Sequence, residues 1–238
     1  MTDRTRAVLS WCVHLYTGLG LPIAFLGLLA AVNADARAAF WWMFAAFFID
    51  CTDGTLARAV DVRRGAPDFD GRKLDDITDY LNYVFVPLYL AWRLELVGET
   101  GLPALLLALL ASGYGFCSER AKTDDGYFTG FPSYWNVAVL YAYLLGLPRW
   151  TNALVFALLA LAVFAPLKCL YPSKTPHFQK LNVVLTCVWF FAIFVVLLQL
   201  DHPPRGLVTA SLAYVAYYFG MSFWLQFGAA SSPEATPA

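Results

Sequence analysis

Four aspartates carry most of the chemistry that this sequence offers. Asp50, Asp53, Asp75 and Asp79 fall within one run, DCTDGTLARAVDVRRGAPDFDGRKLDDITD, which covers positions 50–79 and holds eight of the chain's 17 acidic residues. On a helix, Asp50, Asp53, Gly54 and Ala57 share one face. Gly71, Asp75 and Asp79, spaced i, i+4, i+8, share one face of a second helix. The set is all carboxylate, with no His or Cys in the run, so it selects hard divalent cations, Mg²⁺ or Mn²⁺, over zinc. Two such ions make a clamp for a diphosphate. Gly54 and Ala57 leave room for a ligand on the acidic face, Gly71 does so on the facing helix, and Arg58 can reach a phosphate. The charges between them, Asp61, Arg63, Arg64, Asp68 and Asp70, read as an ordinary solvated linker.

The elements that must position these acids are apolar. The flanking stretches AAFWWMFAAFFI (38–49) and YLNYVFVPLYLAW (80–92) carry no charge. The whole chain of 238 residues is 60% hydrophobic and 14% charged. Soluble domains carry nearer a quarter charged residues, so the fold class expected is an all-α integral membrane protein. Long apolar runs predict about eight transmembrane helices, at 7–32, 38–60, 75–97, 102–118, 131–148, 150–168, 180–200 and 206–228. They form a single transmembrane catalytic domain over 1–228, and the small polar stretch 229–238 reads as a disordered tail. The first run is too long for a signal-peptide core and is interrupted by Pro22, so it reads as a retained helix. The five cysteines form no CxxC or metal-like spacing and read as small apolar residues in a reduced setting.

Each uncharged flanking run covers only about 20 Å of a hydrocarbon core about 30 Å thick. Both helices must therefore continue into their acid-bearing residues, which places the acids at one edge of the bilayer. With the N-terminus inside, Arg4, Arg6, Arg58, Arg63, Arg64, Arg72, Lys73, Arg120, Lys122, Lys168, Lys174 and Lys180 lie in cytoplasmic segments. Only Arg37, Arg93, Arg149 and Arg205 lie outside. This bias supports both termini, and the acidic run, on the cytoplasmic side.

The full pattern, D-x2-D-G-x2-A-R-x12-G-x3-D-x3-D, resembles the signature of the CDP-alcohol phosphatidyltransferases, integral membrane enzymes of phospholipid synthesis. The twelve-residue gap between Arg58 and Gly71 is longer than in most of that family. The gap, the stretches WCVHLYTGLG and KTDDGYFTGFPSYWN (122–136), and the eight-span layout are similar to the bacterial branch that uses choline. The resemblance implies a CDP-alcohol phosphatidyltransferase-like bundle in a bacterial inner membrane. It implies transfer of the phosphatidyl group from CDP-diacylglycerol to the hydroxyl of choline, releasing CMP. Asp50, Asp53 and Asp75 match metal-binding acids, with Asp79 at the same site, for two Mn²⁺ or Mg²⁺ ions. Asp79 also matches the general base, and Gly54, Ala57, Arg58 and Gly71 match positions around the CDP moiety. Membrane lipid and a homodimer partner are implied as well; no nucleic-acid partner is expected.

Choline is a quaternary ammonium, which aromatic faces hold. Tyr83 and Trp135 are the first candidates, followed by Tyr80; Tyr127 and Tyr134 lie nearby in sequence, with Glu119, Asp124 and Asp125 as sources of charge. His14, isolated in the first run, reads as a packing residue. Three other readings stay open. One is the same chemistry on glycerol phosphate, inositol phosphate or serine, for which Arg120 and Lys122 offer basic groups. Another is a membrane prenyltransferase, which calls for a second separated acidic motif where this chain has only Asp124 and Asp125 in a cytoplasmic segment. The third is a divalent-cation transporter, which predicts acids spread over several helices at mid-membrane.

Overall fold

The structure, a computed structural model, describes residues 2–119, 126–172 and 174–227. Among the described residues the regular structure is helical, apart from one two-stranded ribbon. The described residues group into two compact units. The first comprises Met1–Leu109 and Tyr134–Leu154, the second Leu110–Ser133 and Val155–Ala238.

In the first unit, α1 (Asp3–Gly18) is capped by the Thr2 side chain, which accepts from the Thr5 N–H. α2 (Gly20–Val32) follows after a break at Leu19. Pro22 has no N–H for the Gly18 carbonyl four residues back, which interrupts the ladder at that point. α3 (Ala36–Val60) starts at the Asp35 cap and runs unbroken through Asp50 and Asp53 to Asp61, a left-handed stop with φ 58°. Its 25 residues span about 38 Å, enough to cross a bilayer and still carry the acids at its end.

A short turn, α4 (Val62–Gly65), leads to α5 (Gly71–Asp79), which is capped by Asp70. α5 continues without a break through a π-helical segment, Tyr80–Phe85, into α6 (Val86–Arg93). Pro87 explains the π turn. It cannot donate to the Tyr83 carbonyl and crowds it, so the ladder widens and the Val86 N–H bonds the Leu81 carbonyl instead. Small buried side chains bring the helices close: Ala24, Ala30 and Ala31 of α2 pack in the same core as Ala39 and Ala46 of α3.

α7 (Leu102–Cys117) begins in the first unit and ends in the second. The second unit holds the ribbon β1 (Phe128–Thr129), paired antiparallel with β2 (Lys168–Cys169). α8 (Trp135–Leu145) belongs to the first unit, and α9 (Arg149–Val163) crosses from first to second. α10 (Gln179–Leu198) and α11 (Arg205–Phe227) pack together. Asn182, fully buried between them, accepts from the Tyr217 hydroxyl (2.5 Å) and donates to the His177 carbonyl (2.8 Å). Cys169, on β2, is buried beside Ser222 of α11, and burial pushes its thiol up to about 11, which keeps it protonated.

Eight helical stretches among the described residues correspond to the eight runs expected from sequence. Four, Asp3–Val32, Glu99–Cys117, Gln179–Leu198 and Arg205–Phe227, are long and apolar enough to cross a membrane. They leave large apolar side chains such as Leu15, Phe25, Leu110, Phe191 and Phe223 exposed, as lipid-facing helices do. The chain is an all-α membrane protein. α8 and α9 are shorter than the 131–148 and 150–168 runs. Pro132 and the left-handed Ser133 delay the start of α8, and Pro166 ends α9 early.

Candidate metal and transfer site

The C-terminal part of α3 and the α5–π segment bring the acids together within the first unit. One carboxylate oxygen from each of Asp50, Asp75 and Asp79 lies within 4.8 Å of the others, all three side chains half-buried. Oxygens on one Mg²⁺-sized cation stand roughly 3–4 Å apart, so small side-chain rotations close the set around an ion. At an effective dielectric of about 20, two ionised carboxylates at this spacing repel by about 3 kcal/mol. A cation that could bind among the three relieves that repulsion. The donor set is oxygen only, as a hard divalent ion requires.

Asp53 lines the same cleft but is not one of the close three. It is buried at 6% exposure and accepts a hydrogen bond from Thr17 Oγ1 of α1 (2.8 Å). One residue earlier on each helix, the Tyr16 and Thr52 hydroxyls bond at 2.8 Å. α1 is thus stitched to α3 beside the acids. Across the cleft, the Tyr83 hydroxyl donates to Asp50 Oδ2 (2.6 Å). Asn82, next to it, donates to the carbonyls of Gly20 and Thr78 (both 2.9 Å), which anchors the π segment at the break between α1 and α2.

The other expected residues take varied positions. A side chain at Gly54 would meet only Arg58 Nη1 (3.3 Å), so the acidic face is open there. Arg58 is exposed and donates to Thr55 Oγ1. Gly71 is different. A Cβ there would lie 2.6 Å from His14 Cε1, so the room it provides is filled by the imidazole. Tyr80 donates to the Leu109 carbonyl (3.2 Å). Trp135 is fully buried at the start of α8, next to Tyr134, whose ring is 6.2 Å from that of Tyr83. Of the three aromatics named first for choline, Tyr83 lines the cleft. Tyr127 belongs to the second unit, where its hydroxyl bonds His177 Nδ1 (3.0 Å) and Lys168 lies 4.8 Å over its ring. Arg120, Lys122, Asp124 and Asp125 lie outside the described residues.

Sequence reasoning passed over Thr17, Thr78 and Asn82, all in the cleft wall. Asn82 left a signal, as the one amide in an otherwise apolar and aromatic run. Thr17 left none, because its partner Asp53 is 36 residues away.

Fold and site define a class: an all-α membrane protein with a carboxylate cleft suited to divalent cations. No protein-family model matches the chain. Whole-chain similarity goes further. A phosphatidylcholine synthase of Pseudomonas aeruginosa is 36% identical over 216 residues, covering 90% of this chain and 91% of the relative. Those of Borreliella burgdorferi and Legionella pneumophila are each 33% identical, covering 89% and 90% of this chain and 90% and 88% of theirs. The chain belongs to the phosphatidylcholine synthase family.

Proposed function

We propose that this protein transfers the phosphatidyl group of CDP-diacylglycerol to choline and releases CMP. The convergence of Asp50, Asp75 and Asp79 at the meeting of two helices carries the reading, together with whole-length similarity to phosphatidylcholine synthases. Asp50, Asp53, Asp75 and Asp79 would hold two divalent cations, Mn²⁺ or Mg²⁺, which would supply neutralisation of charge on the diphosphate. Gly54, Ala57 and Arg58 border the CDP moiety, and the exposed guanidinium of Arg58 pairs with a phosphate, whereas Gly71 serves to seat His14. Choline lies against the ring of Tyr83, the one of the three expected aromatics that lines the cleft.

Asp79 acts as general base and takes the proton of the choline hydroxyl. That oxygen attacks the phosphorus that carries diacylglycerol. The bond from this phosphorus to the bridging oxygen breaks, and the electron pair leaves with CMP. The low-dielectric cleft walls strengthen each charge interaction along this path. The reaction takes place at the cytoplasmic face of a bacterial inner membrane, with both termini inside, in a homodimer.

The test is direct. Purified protein with CDP-diacylglycerol, Mn²⁺ and labelled choline yields labelled phosphatidylcholine and CMP, and chelation of the metal stops it. Parallel reactions with serine, glycerol phosphate and inositol phosphate give no product. Turnover of any of these, with none for choline, overturns the acceptor assignment.

A further inference from the structure

We infer that the Tyr83 hydroxyl is a positioning group for the metal ligand Asp50, a role separate from any contact of its ring with choline. The inference rests on the metal reading above. Tyr83 belongs to the same continuous helix as Asp75 and Asp79, yet its hydroxyl crosses to Asp50 on α3 at 2.6 Å. It is therefore a direct link between the two halves of the site. An aspartate carboxylate can rotate about its χ angles, and a hydrogen bond to one oxygen narrows that range. The tyrosine fixes one oxygen, Oδ2, and with it the orientation of the carboxylate.

The tyrosine is itself held. It is 5% exposed, with its ring edge-on to Phe47 (6.3 Å) and tilted against Tyr134 (6.2 Å). The π segment sets its direction. An α-helix turns about 100° per residue and a π turn about 80°. In an unbroken α-helix, Tyr83 would point about 80° away from Asp75. Four π steps bring it back roughly in line with Asp75, facing α3. Pro87, four residues on, forces that widening. The backbone irregularity thus has a local product, a rigid donor aimed at a ligand carboxylate.

Tyr83→Phe keeps the ring and removes only the hydroxyl. Mn²⁺ binding to the purified protein, read by electron paramagnetic resonance without substrates, should weaken about ten- to a hundredfold, the usual loss when the partner of a metal ligand is removed. Activity should return as Mn²⁺ is raised, while the KM for choline at saturating metal stays at the wild-type value. Tyr16→Phe is the control. It deletes a comparable interhelical hydroxyl contact, to Thr52, that touches no carboxylate, and should bind Mn²⁺ as wild type does. Wild-type Mn²⁺ affinity in Tyr83→Phe overturns the positioning role, as does an equal loss in Tyr16→Phe. Asp50→Asn separates the two levels of the argument. If it too binds Mn²⁺ as wild type does, the metal assignment itself fails and the positioning role falls with it.

Discussion

Asp79 is the residue on which the proposed chemistry turns, and its surroundings allow a clean substitution. Its carboxylate is half-buried and within 4.8 Å of oxygens of Asp50 and Asp75. Asn keeps the shape and one oxygen but cannot accept a proton from an alcohol. Asp79→Asn should lower phosphatidylcholine formation by about a thousandfold or more, the order lost with a general base. CDP-diacylglycerol binding, followed by displacement of a labelled nucleotide, should stay largely intact because Asp50, Asp53 and Asp75 remain. Near-normal turnover would remove Asp79 from the base role. At this scale the clustering of three acids in the candidate site was legible in sequence. The spacing put the acids on two facing stripes, and Asp50, Asp75 and Asp79 meet as those stripes require. Periodicity could not show what lies opposite each stripe. Tyr83 stood out as an aromatic near the acids, but only three-dimensional contact reveals that its hydroxyl is committed to Asp50. Thr17 reaches Asp53 from a separate helix, with no local pattern to announce it.

At the scale of elements, the linker between α3 and α5 has more structure than its charge suggested. Gly65 rests directly against Ser10, and Gly71 against His14, so the linker and the start of α5 are seated on one side of α1. His14 is buried, packed on Phe69 (4.6 Å) and edge-on to Trp11 (6.0 Å), and it has little room to turn. Gly71→Ala would place a methyl group 2.6 Å from its Cε1, closer than carbon atoms can approach. Overpacking of this kind costs about 1–3 kcal/mol. It should lower the midpoint of thermal unfolding in detergent, and the shift of α5 should reduce transfer through Asp75 and Asp79. Replacing His14 by Ala in the same chain should restore much of the midpoint. A Gly71→Ala midpoint equal to wild type, or no recovery in the double variant, would show that the contact is not tight. Sequence expected Gly71 to clear space for a ligand on its own helix face. A glycine announces close approach but not its partner, and here the partner is 57 positions back. Likewise 75–97 read as one plain span. Pro87 was visible within it, but whether a proline kinks, ends or widens a helix depends on what the neighbouring groups can bond. Here Asn82, held by the Gly20 carbonyl, accompanies the widening.

At the scale of the molecule, the distribution of charge makes a prediction about the membrane that the first unit supports by its own geometry. Arg93 donates to the carbonyl of Val32 at the end of α2 (3.1 Å), and Arg149 pairs with Glu95 (2.6 Å). Arg37 lies in the first turn of α3, just after α2 ends. Three of the four cations expected outside therefore gather at one end of the first unit. The acid cluster lies at the far ends of α3 and α6–α5, and Arg64 pairs with Asp3 at 3.7 Å near the start of α1. The sign pattern read from sequence thus matches a separation of ends in space, and the positive-inside rule then predicts that Arg64 faces the cytoplasm. Both ion pairs are well exposed, with side chains 63–89% accessible, and pairs of this kind contribute about 1 kcal/mol or less. Cysteine can replace Arg64 or Arg149 without unsettling the fold. In a background with the five native cysteines replaced, a membrane-impermeant maleimide added to spheroplasts should label Arg149→Cys at once and Arg64→Cys only after lysis. The reverse pattern would invert the protein and expose the acid cluster on the outer face. That result would also overturn the proposed placement of the reaction at the cytoplasmic face. The orientation experiment therefore tests that placement independently of any assay of turnover.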